Sequence, residues 1–359
     1  MIFRRRIVAA TTAAFGAIAL ASAAPAQDEA SVASEMAAAA QALIEASSAP
    51  AFIANLQGVE PLEDLRHGLD ADARDDWGYW PRARDGFALG YMSPPQRIAV
   101  HELLEALLSA SGYLQIQAIF SLEEVLAATE QGSFPRGFEY AAVAVFGEPG
   151  GVEPWGWRLD SHHMSLNVTV TGDEVDVTPS FLGANPARVT AGDKAGLEPL
   201  RYETRAAFAL LNSLEGEARR QVVVTEEAPR DILSGQLNKP RETWDDWQEA
   251  ITRQGVNVDD MSPEQRALAV RLLDEIVGRY RPEIAEAQRA AIDVDDLSFA
   301  WMGSTEEGAP YYFKLVGDTF VYEYDASGPD GNHVHTVWRD RADDFGAAAL
   351  ERHYAAEEH

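Results

Sequence analysis

The sequence predicts an α+β fold made of two related helix-plus-antiparallel-hairpin halves, the product of an internal duplication. Three observations predict it. Two helix starts carry nearly the same residues, two pairs of aromatic strands follow them, and matching turn signals come in the same order in each half.

The chain opens with Met1-Ile2-Phe3-Arg4-Arg5-Arg6, then an apolar run from Ile7 to Leu20, then Ala24-Pro25-Ala26. Charge, apolar core and small residues in that order read as a signal peptide over 1–26. The run is shorter than the about 20 residues a permanent span needs, and the cleavage site argues against an uncleaved anchor. Three consecutive arginines leave twin-arginine export open beside the general route. No later segment is long and apolar enough to span a membrane. The expected location is periplasmic or secreted. Residues 27–69 form an N-terminal helical segment, with Met36, Leu43 and Ile44 at helical spacing over 27–48 and a loose attachment expected.

The first half is placed at 70–225 and the second at 226–359. Met92-Ser93-Pro94-Pro95-Gln96-Arg97 faces Met261-Ser262-Pro263-Glu264-Gln265-Arg266 at an offset of 169 residues. In each, Ser is the N-cap, Pro opens the helix, and Gln reaches back to the cap. The apolar faces match as well: Leu103, Leu104, Leu107 and Leu108 against Leu272, Leu273, Ile276 and Val277. A Trp-containing segment precedes each helix, with Trp77 and Trp80 in one and Trp244 and Trp247 in the other.

Downstream, Pro154-Trp155-Gly156-Trp157-Arg158-Leu159 faces Pro310-Tyr311-Tyr312-Phe313-Lys314-Leu315 at an offset of 156. Alternating aromatics read as strands. A second strand follows each, Met164 to Val170 and Phe320 to Tyr324. Turns follow at Thr171-Gly172-Asp173 and Ser327-Gly328-Pro329-Asp330. Between the halves, Leu200 to Val222 reads as one amphipathic helix and Thr225 to Pro240 as a connecting loop. Phe181 to Ala187 reads as a turn, with Gly183 and Asn185 suited to positive φ. A helix carrying His353 closes the chain.

Composition narrows the function. Removing 1–26 takes three arginines and no acid from a chain of net charge -29, leaving -32. That excess of acid repels phosphate backbones and argues against a nucleic-acid partner. With no cysteine, thiolate zinc sites, iron–sulfur clusters and cysteine nucleophiles are excluded, so His, Asp, Glu or backbone oxygens must hold any metal.

Four of the eight histidines fall in two short motifs, Asp160-Ser161-His162-His163-Met164 and Asn332-His333-Val334-His335-Thr336, expected in corresponding hairpins. His333 and His335, two apart on a strand, share a face. Adjacent His162 and His163 point to opposite faces, so one of them joins. The metal-ligand set predicted is His163, His333 and His335, with Glu323 as a carboxylate. The cofactor expected is a divalent transition metal: Zn, Cu or Fe. His162 is the candidate general base, and Arg339 the candidate for orienting a substrate oxyanion. The competing reading of the histidines is strand capping without metal, and that of Arg339 is an internal Arg–Asp pair. Arg158 is expected to pair with Asp160. His101 matches Val270 in the second copy and reads as a packing position. Trp155, Trp157, Tyr311, Tyr312 and Trp338 form either a ligand-stacking platform or core.

Phe146-Gly147-Glu148-Pro149, Trp155 to Arg158, His162 to Asn167, Phe181 to Pro186 and Asn332 to Asp340, taken together, resemble a bacterial family catalogued as domain of unknown function 3500. The resemblance covers about residues 50–354. It has Gly where this chain has Ser161, which bears on the turn before the His pair. It implies one coherent, exported fold and names no reaction.

The function expected is an exported metal-dependent enzyme, hydrolytic or oxidative, with a His-lined site. The alternatives are a non-catalytic protein binding a metal or small ligand, and a structural factor whose His and Trp residues are all core.

Overall fold

The computed structural model describes residues 30–46, 65–80, 82–129, 136–235, 247–326, 328 and 330–357. The expected signal peptide and Trp244 lie outside the described residues. No helix among the described residues is long and apolar enough to cross a membrane.

The fold is α+β, a large, mostly antiparallel sheet with helices. The first half contributes β1 (Arg66–His67), β2 (Phe87–Ala88), α2 (Pro94–Leu107), α3 (Ala110–Thr129) and β3 (Ala142–Phe146). Then come β4 (Trp155–Ser161), β5 (Met164–Thr171), β6 (Glu174–Asp176) and β7 (Ser180–Ala184). The second, counted from β8 rather than from the expected residue 226, contributes β8 (Val223–Thr225), α6 (Trp247–Ile251), β9 (Val256–Asn257), α7 (Pro263–Val277) and α8 (Pro282–Ala291). After these come β10 (Ser298–Gly303), β11 (Tyr311–Val316), β12 (Phe320–Ala326), β13 (Val334–Asp340) and α9 (Ala347–Glu357). Helix α1 (Val32–Glu45) precedes both halves, and α4 (Arg201–Ser213) and α5 (Gly216–Val222) join them.

The strand order β1-β3-β4-β5-β7-β13-β12-β11-β10-β8 reads the same outward from the β7–β13 seam in both directions. β1 and β8 pair parallel to β3 and β10, while β2 and β9 pair antiparallel to those same two strands. Both predicted caps form. The Ser93 N–H donates to Gln96 Oε1 at 2.9 Å, and the Ser262 N–H to Gln265 Oε1 at 2.9 Å. The eight predicted apolar positions on α2, its neighbouring Leu108, and α7 are all buried.

Strand parity sorts the side chains into two chemically different faces. Trp155, Trp157, Leu159, Leu166, Leu182, Tyr311, Phe313, Tyr322, Tyr324 and Trp338 all point to the helix side and join the main apolar core. There Trp301, Tyr311, Phe313 and Tyr324 stack at centroid separations of 4.8–5.8 Å. Contacts of that kind add about 0.5–1.5 kcal/mol per pair beyond area burial. Four of the five residues weighed as a stacking platform, Trp155, Trp157, Tyr311 and Trp338, are core. Tyr312 is buried too, but on the other face, where its hydroxyl donates to Glu323 Oε2 at 2.7 Å.

That opposite face is rich in buried polar groups: Arg158, Asp160, Ser165, Asn167, Lys314, Glu323, Asp325 and Arg339. Non-strand chain covers it and satisfies many of them. Lys314 donates to the Glu249 carbonyl and Arg158 to that of Ala73, while Leu233 and Ser234 donate to Glu323. Arg158 pairs with Asp160 at 3.2 Å, as expected.

Four expectations need correction. Helix α1 is not loosely held: Met36, Ala40 and Leu43 are fully buried, and Trp157 Nε1 approaches Met36 Sδ at 3.5 Å. The helix expected over 200–222 breaks at Leu214 and Glu215, both extended, giving α4 and α5. Phe181 to Ala184 belongs to the seam strand β7 and is not a turn. His101 is exposed on α2, with its Nδ1 2.8 Å from the Tyr113 hydroxyl, and is not one of the buried packing positions of that helix.

Candidate metal centre

The seam brings the two His motifs together, though not as symmetric equivalents. His162 and His163 form the two-residue turn between β4 and β5. His333 precedes β13 and His335 lies within it, and the partner of β13 across the seam is β7. β5 and β13 both border β7, so the turn and the start of β13 meet above Gly183. Gly183 is there for close approach, not for positive φ. A Cβ on it would lie 2.8 Å from His163 Cδ2 and 3.2 Å from His335 Cδ2.

His163 Nε2 stands 3.1 Å from His333 Nε2, which stands 3.1 Å from His335 Nε2. An imidazole nitrogen carries either one hydrogen or one lone pair. His333 Nε2 therefore cannot make two full hydrogen bonds to these neighbours. Three converging lone pairs suit a cation instead. Nitrogens about 2.0–2.1 Å from one ion lie about 3.0–3.4 Å apart, so the spacing fits. Among the described residues these three form one of the groups with ligand atoms within 4.8 Å of one another.

The other ring nitrogen of His335 is oriented by a carboxylate, as those of metal-ligating imidazoles usually are. His335 Nδ1 is 2.7 Å from Asp231 Oδ1, and the Tyr79 hydroxyl donates to Asp231 Oδ2 at 3.2 Å. Tyr79 stacks on Phe181 at 4.3 Å and meets the His335 ring edge-on at 4.9 Å. Asp325 lies across from His335 in the β12–β13 register, and it forms a second close group with Asp231 and His335. Glu123, on α3, reaches His162 Nδ1 at 3.0 Å and His163 Nδ1 at 3.8 Å. Arg136 also approaches His162 Nδ1, at 2.9 Å.

Burial, reinforced by His162, holds the His163 imidazole well below its ordinary pKa, so it is neutral and its lone pair is available near neutral pH. Burial lowers His162 as well. Burial alone would raise Glu123, but the hydrogen bond to His162 and the nearness of His163 outweigh it and hold the carboxyl well below the usual range. His163 is buried, while His333 and His335 are half-buried, so the cluster opens to solvent from the β13 side.

Not all the predicted residues meet. Glu323 is outside the cluster. Its carboxylate accepts from the Leu233 and Ser234 N–H groups at 2.6 and 2.9 Å, from the Ser234 hydroxyl and from Tyr312. Arg339 is committed too: its Nε donates to Asp344 Oδ2 at 2.8 Å and an Nη to the Ser234 carbonyl at 2.6 Å. This is an internal Arg–Asp pair, with Asp344 rather than Asp340. His162 packs against His163, with the ring centroids 3.8 Å apart and the planes tilted by 36°, and lies beside the cluster, not in it.

Sequence reasoning missed Glu123, Asp231, Asp325 and Gly183. Asp325 alone had a local signal: it is two residues beyond Glu323 on the same strand face.

The chain matches, over residues 30–347, the family described as protein of unknown function, DUF3500. The chain belongs to this family. Searches of curated proteins and of solved structures returned no match. The DUF3500 match runs from the residues before α1 to the first residue of α9, so it includes every residue of the histidine cluster and its carboxylate partners.

Proposed function

We propose that His163, His333 and His335 bind one divalent transition metal, and that this DUF3500 protein is an exported metal-dependent enzyme, hydrolytic or oxidative. The observation carrying the proposal is the pair of 3.1 Å Nε2 contacts that share His333. Imidazole donors select zinc, copper or iron over the hard cations. Three protein ligands leave coordination positions for a water or substrate, the pattern of catalytic rather than closed structural sites. The bound metal would supply Lewis acidity. Asp231 would fix the His335 tautomer, and His162, paired with Glu123, would stand beside the metal as a proton-accepting group. Cleavage after residue 26 and a periplasmic or secreted location belong to the same reading. So does internal duplication, supported by the palindromic strand order, which puts the site at the seam of the two copies.

Elemental analysis of full-length protein purified without a His-tag tests the metal. One equivalent is expected, falling severalfold in His333→Ala and in His335→Ala. Unchanged content in both variants would remove them as ligands. A panel of hydrolase and oxidase substrates then separates an enzyme from a non-catalytic metal-binding protein. N-terminal sequencing of the exported form tests the cleavage.

A further inference from the structure

A second constellation lies where β6 meets the turn before α9. Glu174, Asp176 and Asp343 each present a carboxylate oxygen within 4.8 Å of the others. Surface acids often cluster without consequence, but Asp176 is not at the surface. It is 7% exposed, and its Oδ2 is shielded from solvent with no hydrogen-bond partner among the described residues. A buried carboxylate oxygen left in that state is costly. Gly346 lies close against it: a Cβ there would lie 2.9 Å from Asp176 Oδ2 and 2.9 Å from Thr169 Cγ2, so only glycine lets the chain entering α9 approach the carboxylate this closely.

The neighbouring cations leave Asp176 Oδ2 unpaired, although one of them holds Glu174. One Arg352 nitrogen reaches both oxygens of Glu174 at 2.9 Å from an exposed position. Arg74 donates to Thr169 Oγ1 at 2.8 Å and to the Phe345 carbonyl. Asp343 accepts from the Ala348 N–H with one oxygen. Burial, then the like charges of Asp343 and Glu174, push Asp176 up to about 7.

We propose that Glu174, Asp176 and Asp343 bind one hard divalent cation of the calcium class, tying the β5–β6 hairpin to the chain that enters α9. The donors are all oxygen, which suits calcium and excludes the metals that prefer imidazole. Water completes the coordination shell. Binding neutralises three acids that repel one another and gives Asp176 Oδ2 the partner it lacks. In a chain without cysteine, the ion crosslinks two segments about 170 residues apart, as a disulfide would. The proposal does not depend on the histidine centre.

The test is a thermal melt of the full chain, stripped with chelator and titrated with calcium chloride or magnesium chloride at about pH 8. Calcium should raise Tm, saturating at about 10⁻⁴–10⁻³ M, with a smaller effect of magnesium. Asp176→Asn and Asp343→Asn should each lose the calcium shift. Asp176→Asn in chelator should melt no lower than the stripped wild type, because its amide removes the repulsion. The double variant His333→Ala, His335→Ala should keep the shift. No calcium-dependent rise in the wild type, an equal rise in both acid variants, or loss of the rise in the histidine variant would each overturn the site.

Discussion

At the scale of single residues, what positions the histidines is mostly what the sequence does not advertise. Types and spacing already mark these residues: His333 and His335 stand two apart at the entry to a strand, and His163 belongs to an adjacent His pair. Asp231 lies 104 residues from its partner His335 in a stretch that reads as connecting loop, so no local pattern points to it. Its contribution is separable from folding, since its side chain is 43% exposed. Asp231→Asn should weaken metal affinity about 10–100-fold, the usual cost of losing such a partner, and leave the melting temperature nearly unchanged. A titration giving wild-type affinity would show that the carboxylate plays no part in aiming the ring. Gly183→Ala asks the complementary question. A Cβ 2.8 Å from His163 Cδ2 and 3.1 Å from the Val334 carbonyl must displace one of them. Overpacking of this kind costs about 1–3 kcal/mol. Metal affinity should fall with stability in this variant, and retained affinity would mean the rings tolerate the shift.

At the scale of elements, the sequence reveals helix starts well and ends poorly. The Ser–Pro–x–Gln caps forecast α2 and α7 to the residue because a cap is a local hydrogen-bond pattern. The break between α4 and α5 has no such signature. Nor does the seam role of β7, whose Phe181-Leu182-Gly183 is short and carries a glycine usually read as a turn. Pairing on both sides makes it a strand. Arg339 shows how an element can look functional and be architectural. Parity on β13 puts it on the polar face with His335, yet its guanidinium is buried against Asp344, with the two side chains 3% and 1% exposed. Removing one partner of such a pair strands the other charge and costs about 3–5 kcal/mol. Arg339→Ala should therefore lower stability by that order in denaturant unfolding while one equivalent of metal still binds to the folded fraction. Loss of metal at unchanged stability would return Arg339 to the site.

At the scale of the whole molecule, stability should change with pH through two opposed sets of buried groups, and the sign of each follows from its direction of shift. Asp176 has an ordinary value of 3.8 and stands at about 7 in the fold. Between about pH 7 and pH 4 the native chain holds a proton that the unfolded chain has lost, so falling pH favours the fold through this group. His163 and His162 are shifted the other way. Below 6.5 the unfolded chain takes up protons that the buried rings refuse, so falling pH disfavours the fold through them. Glu123, held low, adds to that loss below 4.5. The opposed contributions would blur a single stability curve, and a difference measurement separates them. In chelator, the stability of the wild type relative to Asp176→Asn should rise steadily as pH falls from about 7 to about 4, and level off below that, because both states are then protonated. Measured by denaturant unfolding at a series of pH values, a difference that stayed flat or moved the other way would mean that Asp176 is ionised and satisfied in the fold. The repulsion assigned to the β6–α9 junction would then be absent.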